Sequence, residues 1–439
     1  MNREMVISAT NNRKKIRSLF GQKLIALQGN SLVLKTKDCH YPFRQSSNFL
    51  YLTGVDIPEC KLLLTFDKEI LFIPKSSRHD AVWLGNVVDL KTAKEIFNIR
   101  QVFYIDRFES KFKELSLKYK SCHTEESFKD DLKKIRKNVR IETKLFKEKI
   151  SLLRSLKSDF ELSFIRQASR ISELAFFSVM KRAKAGLYEY HLKNIFEKNI
   201  YDHGALHTAY PTIVASGVNA AFLHYNGVQA KLKPDDLCLI DAGAEFNGYA
   251  SDITRTIPVS KKFTNKQKHI YRIVLAAQKE AILSARSGVN LKNIQNKTIE
   301  VIIEGLISLK ILKGKIAQLK SSKAYSLFYP HGVSHMLGLD VHDIFNSSNT
   351  AKQTNKLGDV TLKEGMVITV EPGIYFNHIV LNDPKIRKKH KNNVNWDLVD
   401  SYLDFGGIRI EDNIYITESG NVNLTKLPKS IKDIESFRG

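Results

Sequence analysis

Five side chains that can bind a metal ion occur in the second half of this 439-residue chain, each at the end of an apolar or glycine-rich phrase. They are Asp241, Asp252, His335, Glu371 and Glu411. Four carboxylates and one imidazole suit hard or borderline divalent cations such as manganese, and carboxylates can bridge two ions. The fold that these phrases require is one that brings the five side chains together.

The length of the chain favours two domains, because a single core rarely grows to this size. In residues 1–155, short β-rich phrases alternate with basic helical stretches, which predicts an α/β amino-terminal domain. Residues 156–439 form the second predicted domain. The β-rich phrases of the first domain are residues 31–34, 61–66, 70–73 and 101–104.

A capping box predicts the helix that opens the second domain. Ser158 is followed three residues later by Glu161, and apolar residues then recur at helical spacing. A second helix is predicted over residues 188–203. A longer helical region is predicted over residues 265–312, with a break at Gly288.

Two predicted strands bring the first two carboxylates together. An apolar run ends at Asp241, and residues 249–259 form a second strand candidate. The intervening Asn247-Gly248 is a strong signal for a hairpin turn. Either aspartate alone is more typical of a turn or a helix cap. As a facing pair, Asp241 and Asp252 repel each other unless a cation or a proton lies between them.

Three histidines lie within the glycine-containing phrase of residues 331–343. They are His331, His335 and His342. One histidine on an apolar face is more often a core residue than a ligand. Three in one phrase, with glycines that let the backbone approach a ligand closely, favour a functional site.

Two further predicted strands carry the remaining glutamates. Glu371 follows the strand predicted over residues 366–370, where it could instead cap backbone amides, and Glu411 lies in the strand predicted over residues 408–416. Arg409 points to the same face as Glu411, because side chains alternate along a strand. The arginine could pair with that glutamate or orient a metal-binding carboxylate. The second domain is therefore expected to be of the α+β class.

The charge of the chain raises the possibility of an acidic partner. It has 69 Lys plus Arg against 46 Asp plus Glu, a formal net charge of +23. The basic residues are scattered and not interleaved with aromatic residues, so nucleic-acid binding is disfavoured. The densest basic run, residues 385–391, is predicted to be a solvated loop.

The four cysteines show no paired spacing, which predicts reduced packing residues in a cytoplasmic protein. The amino terminus lacks the apolar core of a secretory signal and is expected to form a helix of the fold. Every apolar run is of strand length, so no membrane association is expected.

Taken in order, these phrases resemble the pita-bread metallopeptidases, and within them the aminopeptidase P (Xaa-Pro aminopeptidase) group most closely. His224-Tyr-Asn resembles an additional active-site histidine phrase of that family, and residues 41–54 are similar to the amino-terminal domain of the aminopeptidase P group. The basic, Asn-rich stretch of residues 376–405 is longer than the family's usual connection. The phrases that carry the resemblance are Asp241-Ala-Gly with Asp252, residues 331–343, Val370-Glu371-Pro-Gly and Gly407-Ile-Arg409-Ile-Glu411-Asp.

The resemblance implies a pita-bread catalytic domain that holds two divalent metal ions, with manganese favoured. Asp241 would bind one ion, His335 and Glu371 would bind the other, and Asp252 and Glu411 would bind both. A water between the ions would attack the peptide bond that precedes proline.

The resemblance also implies roles around the ions. Glu371 would transfer a proton from the water to the departing proline nitrogen. His224 and His342 would lie beside the developing oxyanion. His331 would help to form the proline pocket, and Arg409 would orient a metal-binding carboxylate.

The expected activity is removal of the first residue from peptides whose second residue is proline. The expected partners are such peptides and further copies of the chain, in a dimer or tetramer, with no membrane or nucleic acid. Two alternatives stay open: a prolidase that cleaves only Xaa-Pro dipeptides, and a catalytically silent pita-bread protein that binds peptide, histone or RNA.

Overall fold

The structure, a computed structural model, describes residues 3–85, 88–345 and 360–438. The chain divides into two compact units, Met1–Arg154 and Ser155–Gly439. Each unit encloses an apolar core of its own. Among the described helices, none has an apolar stretch long enough to cross a lipid bilayer.

The first unit is built around one mixed sheet. Its strands are β1 Leu24–Gln28, β2 Lys61–Leu64, β3 Glu69–Ile73, β4 Gln101–Tyr104, β5 Ser121–His123 and β6 Arg140–Glu142. They lie in the order β4-β3-β2-β1-β5-β6, antiparallel among β1, β2 and β3 and parallel elsewhere. The helices are α1 Arg3–Phe20, α2 Ser47–Thr53, α3 Arg78–Leu84, α4 Leu90–Phe97, α5 Phe108–Lys118, α6 Lys129–Ile135 and α7 Lys144–Ser155, with 3-10 turns at Ile105–Arg107 and Glu126–Phe128.

The centre of this sheet differs from the prediction. Residues 31–34 do not form a strand, and Leu24–Gln28 forms β1 instead. Strand β1 pairs with β2 on one edge and β5 on the other, and only its last residue is partly exposed. A strand buried on both faces lacks the alternation of apolar and polar residues that identifies a strand in a sequence. The other three predicted strands are confirmed as β2, β3 and β4.

The second unit contains several small sheets surrounded by helices. Its helices are α8 Asp159–Arg182, α9 Glu189–Asp202, α10 Asn265–Ser284, α11 Leu291–Ser308, α12 Ile316–Ser321, α13 His378–Leu381, α14 Pro384–Lys389, α15 Trp396–Asp400 and α16 Ile431–Arg438, with 3-10 turns at Gly217–Ala221 and Ala324–Leu327. Its strands are β7 His207–Thr208, β8 Ile213–Ser216, β9 Leu237–Ala242, β10 Ala244–Phe246, β11 Tyr249–Ala250, β12 Ile253–Pro258, β13 Val367–Val370, β14 Gly373–Tyr375, β15 Gly407–Arg409, β16 Asp412–Ile416 and β17 Asn421–Asn423. Within the described residues the sheets have the orders β12-β9-β8, β11-β10-β7, β13-β16-β17 and β14-β15.

The predicted helices of this unit are confirmed. The Ser158 hydroxyl accepts from the backbone amide of Glu161, and the Glu161 carboxylate accepts from the backbone amide of Ser158 at 2.9 Å, which completes the capping box of α8. The helix expected over residues 188–203 is α9. The long helical region is α10 and α11, and Gly288, with a φ of 84°, lies between them.

The predicted hairpin is also confirmed. Asn247 and Gly248 both have positive φ, the conformation that a type I′ turn requires, and they join β10 to β11. Gly243 lies just before β10, where a Cβ atom would be 1.8 Å from the Ser251 carbonyl oxygen. Only glycine permits this close approach of the two backbones.

The basic run is not the loop that the sequence predicted. Pro384–Lys389 forms α14, whose first backbone amides donate to the carboxylate of Asp383. An aspartate cap followed by proline at the first helical position is a helix-start signal, and it outweighs the repulsion between neighbouring lysines. The lysines themselves are solvent-exposed, as expected.

Candidate active site

Asp241 and Asp252 meet at the end of the β9–β12 strand pair. Thr254 of β12 is opposite Asp241 of β9, and Asp252 directly precedes β12. The Tyr210 hydroxyl lies 2.6 Å from Asp241 Oδ1 and also contacts Asp252 Oδ1. A hydroxyl carries one proton, so it can donate to only one of these carboxylates at a time. Burial raises the pKa of Asp252, so a nearby cation would stabilise its charged form.

His335 presents one ring nitrogen to the carboxylates. Its Nδ1 lies 3.0 Å from the Met336 carbonyl oxygen, which can only accept, so Nδ1 carries the proton and Nε2 faces the site. Nε2 is 3.3 Å from Asp252 Oδ2, 3.6 Å from Glu371 Oε1 and 3.9 Å from Glu411 Oε1. Burial lowers the pKa of His335, but the hydrogen bond to Asp252 and the charge of Glu371 outweigh it and raise the pKa to about 9.

The two glutamates lie at the same end of the paired strands β13 and β16. Glu371 directly follows β13, and Glu411 lies between β15 and β16, where its Oε2 accepts from the Thr254 hydroxyl at 2.7 Å. Burial raises the pKa of Glu371 to about 7, although the charge of His335 opposes this shift. Burial and the charge of Asp252 raise the pKa of Glu411 well above its ordinary value.

This donor set fits divalent metal ions. Ligand atoms of Asp252, His335 and Glu411 all lie within 4.8 Å of one another. Glu371 is in contact with His335, whereas Asp241 joins the group through Tyr210. Buried carboxylates that raise each other's pKa are stabilised as anions by cations among them, and oxygen ligands with one imidazole suit hard or borderline metals.

Arg409 pairs with Asp241 rather than with the neighbouring Glu411. Its Nη2 lies 2.5 Å from Asp241 Oδ2, and its Nε donates to the Thr254 hydroxyl at 3.2 Å. Since Thr254 in turn donates to Glu411, Arg409 positions one carboxylate directly and a second through the threonine. Its Nη1 donates to the Tyr375 hydroxyl at 2.9 Å.

His331 is connected to this network through Tyr375. The Tyr375 hydroxyl donates to His331 Nε2 at 2.9 Å, and His331 Nδ1 donates to the Gly332 carbonyl at 2.8 Å. Burial, assisted by the charge of Arg409, lowers the pKa of His331 to about 3. His331 is therefore neutral, and its Nδ1 lies 3.7 Å from Glu371 Oε2.

The other two predicted histidines are His342, which contacts His335, and His224, which lines a cavity. The centre of the His342 ring is 4.3 Å from that of His335, in an edge-to-face arrangement. His224 lines a cavity of about 370 Å³ together with Tyr375 and Pro330. The structure thus brings all five candidate ligands, the three further histidines and Arg409 into one region of the second unit.

A fully buried arginine supports the backbone on which Glu411 lies. Arg255 Nη1 donates to the Glu411 carbonyl at 2.7 Å, and its Nη2 lies 2.7 Å from Asp412 Oδ1. Burial alone would raise the pKa of Asp412, but Arg255 and Lys429 outweigh it and lower the pKa to about 2. This ion pair holds the start of β16 in place.

Sequence reasoning missed three residues of the site: Tyr210 and Thr254, which contact candidate ligands, and Tyr375, which contacts His331 and Arg409. Thr254 lies two residues after Asp252, so the alternation of side chains along β12 could have indicated that both point to the same face. Tyr210 precedes a proline and Tyr375 lies near the end of a short strand. Neither position has a sequence signal that separates it from an ordinary core tyrosine.

The fold and the site define a metallo-hydrolase. Residues 163–418 match the model of metallopeptidase family M24, and residues 9–123 match the aminopeptidase P amino-terminal domain. The chain belongs to metallopeptidase family M24.

Similar proteins cover almost the whole chain. A relative from Verticillium alfalfae, named Probable Xaa-Pro aminopeptidase, is 35% identical over 428 residues, which are 95% of this chain and 92% of that protein. An Aspergillus fumigatus protein with a similar name is 34% identical and covers 90% of this chain and 86% of its own length.

Solved structures show the same architecture. Proline aminopeptidase P II from Yersinia pestis is 31% identical and superposes with a TM-score of 0.87 over 99% of both chains. Aminopeptidase P from Escherichia coli is 29% identical and has the same TM-score over 99% of this chain and 98% of its own. These matches confirm the expected fold class, a pita-bread catalytic domain preceded by an α/β domain, and the resemblance to the aminopeptidase P group.

Proposed function

We propose that this protein removes the first residue from peptides whose second residue is proline. The observation that carries the proposal is the convergence of Asp252, His335 and Glu411 beside Glu371 and Asp241. Relatives and solved structures named as Xaa-Pro aminopeptidases and aminopeptidase P support it and do not favour a prolidase or a silent binding protein.

Two divalent metal ions fit the proposed reaction. Asp241 would hold one ion, His335 and Glu371 the other, and Asp252 and Glu411 both. Bound there, the ions would lower the pKa of a water nucleophile and polarise the carbonyl oxygen of the substrate. Manganese is proposed as the metal because the donors are mostly carboxylates. One E. coli aminopeptidase P structure is zinc-substituted and contains product, so zinc binding deserves direct comparison.

Glu371 is proposed to move the proton. A carboxylate beside the nucleophilic water can accept its proton and later release that proton to a leaving group. Its Oε2 lies 3.7 Å from neutral His331, which cannot neutralise it as a cation would. We propose that Glu371 receives the proton of the nucleophilic water and delivers it to the departing proline nitrogen.

The histidines are proposed to position the substrate. His224 borders the cavity, and His342 packs against the ring of His335, so both can reach a carbonyl oxygen at the reacting end of a peptide. His331, kept neutral by burial and by the charge of Arg409, would help to form the proline pocket. Arg409 would keep Asp241 in its ligand orientation.

The remaining proposals concern the domain boundaries, the cellular compartment and the oligomeric state of the protein. We propose that residues 1–155 are the amino-terminal domain and residues 156–439 the catalytic domain. The protein is proposed to work in the cytoplasm as a homodimer or homotetramer. Three of its four cysteines are buried as free thiols, which supports a reducing compartment.

The proposed activity can be tested with three short peptides. Purified protein, with manganese or with a chelator, is incubated with Ala-Pro-Ala, Ala-Ala-Ala and Ala-Pro, and free alanine is measured. Manganese-dependent release of alanine from Ala-Pro-Ala but not from Ala-Ala-Ala is expected. Cleavage of Ala-Pro alone would identify a prolidase instead. A folded protein that binds no metal and cleaves none of the three peptides would contradict the proposal.

A further inference from the structure

Helix α13 forms part of the wall of the cavity that contains His224. Asn377 and Val380 line this cavity, and Asn377 Nδ2 donates to the Ala221 carbonyl at 3.2 Å. The side-chain oxygen of Asn377 also accepts from the first amides of α13. The cavity wall beside the candidate active site is therefore a capped helix with a fixed position relative to the 3-10 turn at Gly217–Ala221.

Four exposed lysines follow α13 closely in the sequence. They are Lys385, Lys388, Lys389 and Lys391, and we refer to these four residues as the lysine ridge. Within the described part of the chain, no carboxylate lies within ion-pair distance of their ammonium groups. Unpaired, solvated charges of one sign produce a positive potential that extends roughly 8 Å at physiological salt.

Arg387 holds the lysine ridge in place. Its guanidinium pairs with Asp400, stacks on Trp396 with 4.9 Å between the guanidinium carbon and the ring centre, and donates through Nε to the Leu381 carbonyl at 2.7 Å. These contacts tie α14 to both α13 and α15. The one basic side chain of α14 that is engaged internally thus keeps this helix, which carries Lys385, Lys388 and Lys389, next to the helix that forms the cavity wall.

We infer that the lysine ridge selects peptides with acidic residues on the carboxyl side of the proline. The inference rests on the proposed function: an exopeptidase that holds the amino end of its substrate at the metal site leaves the rest of the peptide on the open side of the cavity. Carboxylates there meet several unpaired lysines at once. The lysine ridge is exposed, so its attraction for acidic peptides speeds their association and lowers KM. It leaves the rate of the chemical step unchanged.

The test compares three peptides that differ only after the proline: Ala-Pro-Glu-Glu, Ala-Pro-Gln-Gln and Ala-Pro-Lys-Lys, each amidated at the carboxyl end. With the manganese-loaded full chain, kcat/KM for the acidic peptide is expected to exceed that for the neutral peptide by roughly tenfold and the basic peptide to be poorest. The difference is expected in KM and to disappear at about 1 M salt, where the screening length is about 3 Å.

Two charge-reversal variants separate the lysine ridge from the overall charge. The variant Lys385→Glu/Lys388→Glu/Lys389→Glu is expected to lose the acidic preference and keep its turnover of the neutral peptide. The control Arg272→Glu/Lys279→Glu/Arg286→Glu changes the net charge equally at exposed residues that line other cavities, and it is expected to keep the preference.

The possible failures are distinguishable. Equal cleavage of all three peptides by the unmodified protein, or equal loss of preference in both variants, would overturn the role of the lysine ridge and leave the peptidase activity standing. If none of the three proline peptides is cleaved, the proposed function fails and the inference fails with it.

Discussion

The Lys157 ammonium lies 2.9 Å from the Asp343 carboxylate, and both side chains are almost completely buried. Asp343 directly follows His342, and its backbone amide donates to the Met336 carbonyl. The pair therefore fixes the end of the histidine phrase to the residue that precedes the capping box of α8. Gly338 allows this arrangement, because a Cβ atom there would be 2.0 Å from Asp343 Oδ2.

Replacing Lys157 with Met is expected to destabilise the protein by about 3–5 kcal/mol, because the buried Asp343 carboxylate would lose the ammonium group that balances its charge. The free energy of unfolding is measured by urea denaturation of the metal-free protein. The double variant Lys157→Met/Asp343→Leu removes both charges and is expected to recover most of the loss. A single variant as stable as the unmodified protein would show that this ion pair does not hold the histidine phrase.

Tyr210→Phe is expected to weaken metal binding. The substitution removes the hydroxyl that contacts both Asp241 and Asp252, so the two carboxylates lose their shared donor. Loss of such a contact to a ligand typically lowers metal affinity about 10–100-fold. Manganese affinity is measured by calorimetric titration, with Tyr329→Phe as the control, since Tyr329 is a buried tyrosine that contacts Gln295. Equal affinity in Tyr210→Phe and the unmodified protein would rule out a role for this hydroxyl.

Thr254 and Thr256 provide a matched pair of variants on β12. Thr254→Val removes the hydroxyl that joins Arg409 to Glu411, whereas Thr256→Val removes one that bonds only to the backbone of Arg409. Each is expected to cost about 1–3 kcal/mol of stability, because buried partners lose a hydrogen bond. Only Thr254→Val is expected to weaken manganese binding as well. A similar change of affinity in both variants would mean that the Thr254 hydroxyl does not orient Glu411.

The stability of the metal-free protein is expected to fall as pH rises from about 4.5 to 7. The pKa of Glu371 in the folded protein, about 7, lies above its ordinary value, so folding takes up a proton. That contribution, about 3 kcal/mol, is complete below the unfolded pKa and is lost as pH rises through the folded one. Urea midpoints in chelator at several pH values measure it.

The control for this pH dependence is Glu371→Gln, which cannot ionise. It is expected to reduce the decrease in stability between about pH 4.5 and 7 by the contribution of Glu371, while the raised pKa values of Asp252 and Glu411 keep part of the slope. The decrease at higher pH is expected to remain, because the raised pKa of His335, about 9, gives a second contribution that is present below about pH 6.5 and is lost as pH rises to about 9. Identical profiles for the unmodified protein and the variant would contradict the assigned shift of Glu371.

Local signals in the sequence predicted much of the second unit. The capping box of Ser158 and Glu161 and the turn at Asn247-Gly248 each depend on a few neighbouring residues, so their structures follow from short-range chemistry. The five candidate ligands were recognisable because each follows an apolar or glycine-rich phrase. Their assembly into one site depends on the pairing of distant strands, which only the family resemblance indicated.

The wrong predictions for β1 and α14, and the two missed tyrosines, also have physical causes. Strand β1 is buried on both faces, whereas the apolar side chains of residues 31–34 are exposed. A strand prediction based on apolar character alone therefore falls on the wrong segment. The charge of residues 385–391 predicts a loop, whereas the helix-start signal of Asp383-Pro384 determines the structure of α14. Tyr210 and Tyr375 act through contacts made across the fold, which no local pattern in the chain records.

The central claim is that the five candidate ligands hold a pair of metal ions. Anomalous diffraction from crystals grown with manganese tests it most directly. Two anomalous peaks are expected, both within bonding distance of Asp252 and Glu411, one of them also bound by Asp241 and the other by His335 and Glu371. Peaks elsewhere, or none at these residues in a protein that still cleaves Ala-Pro-Ala, would contradict the account.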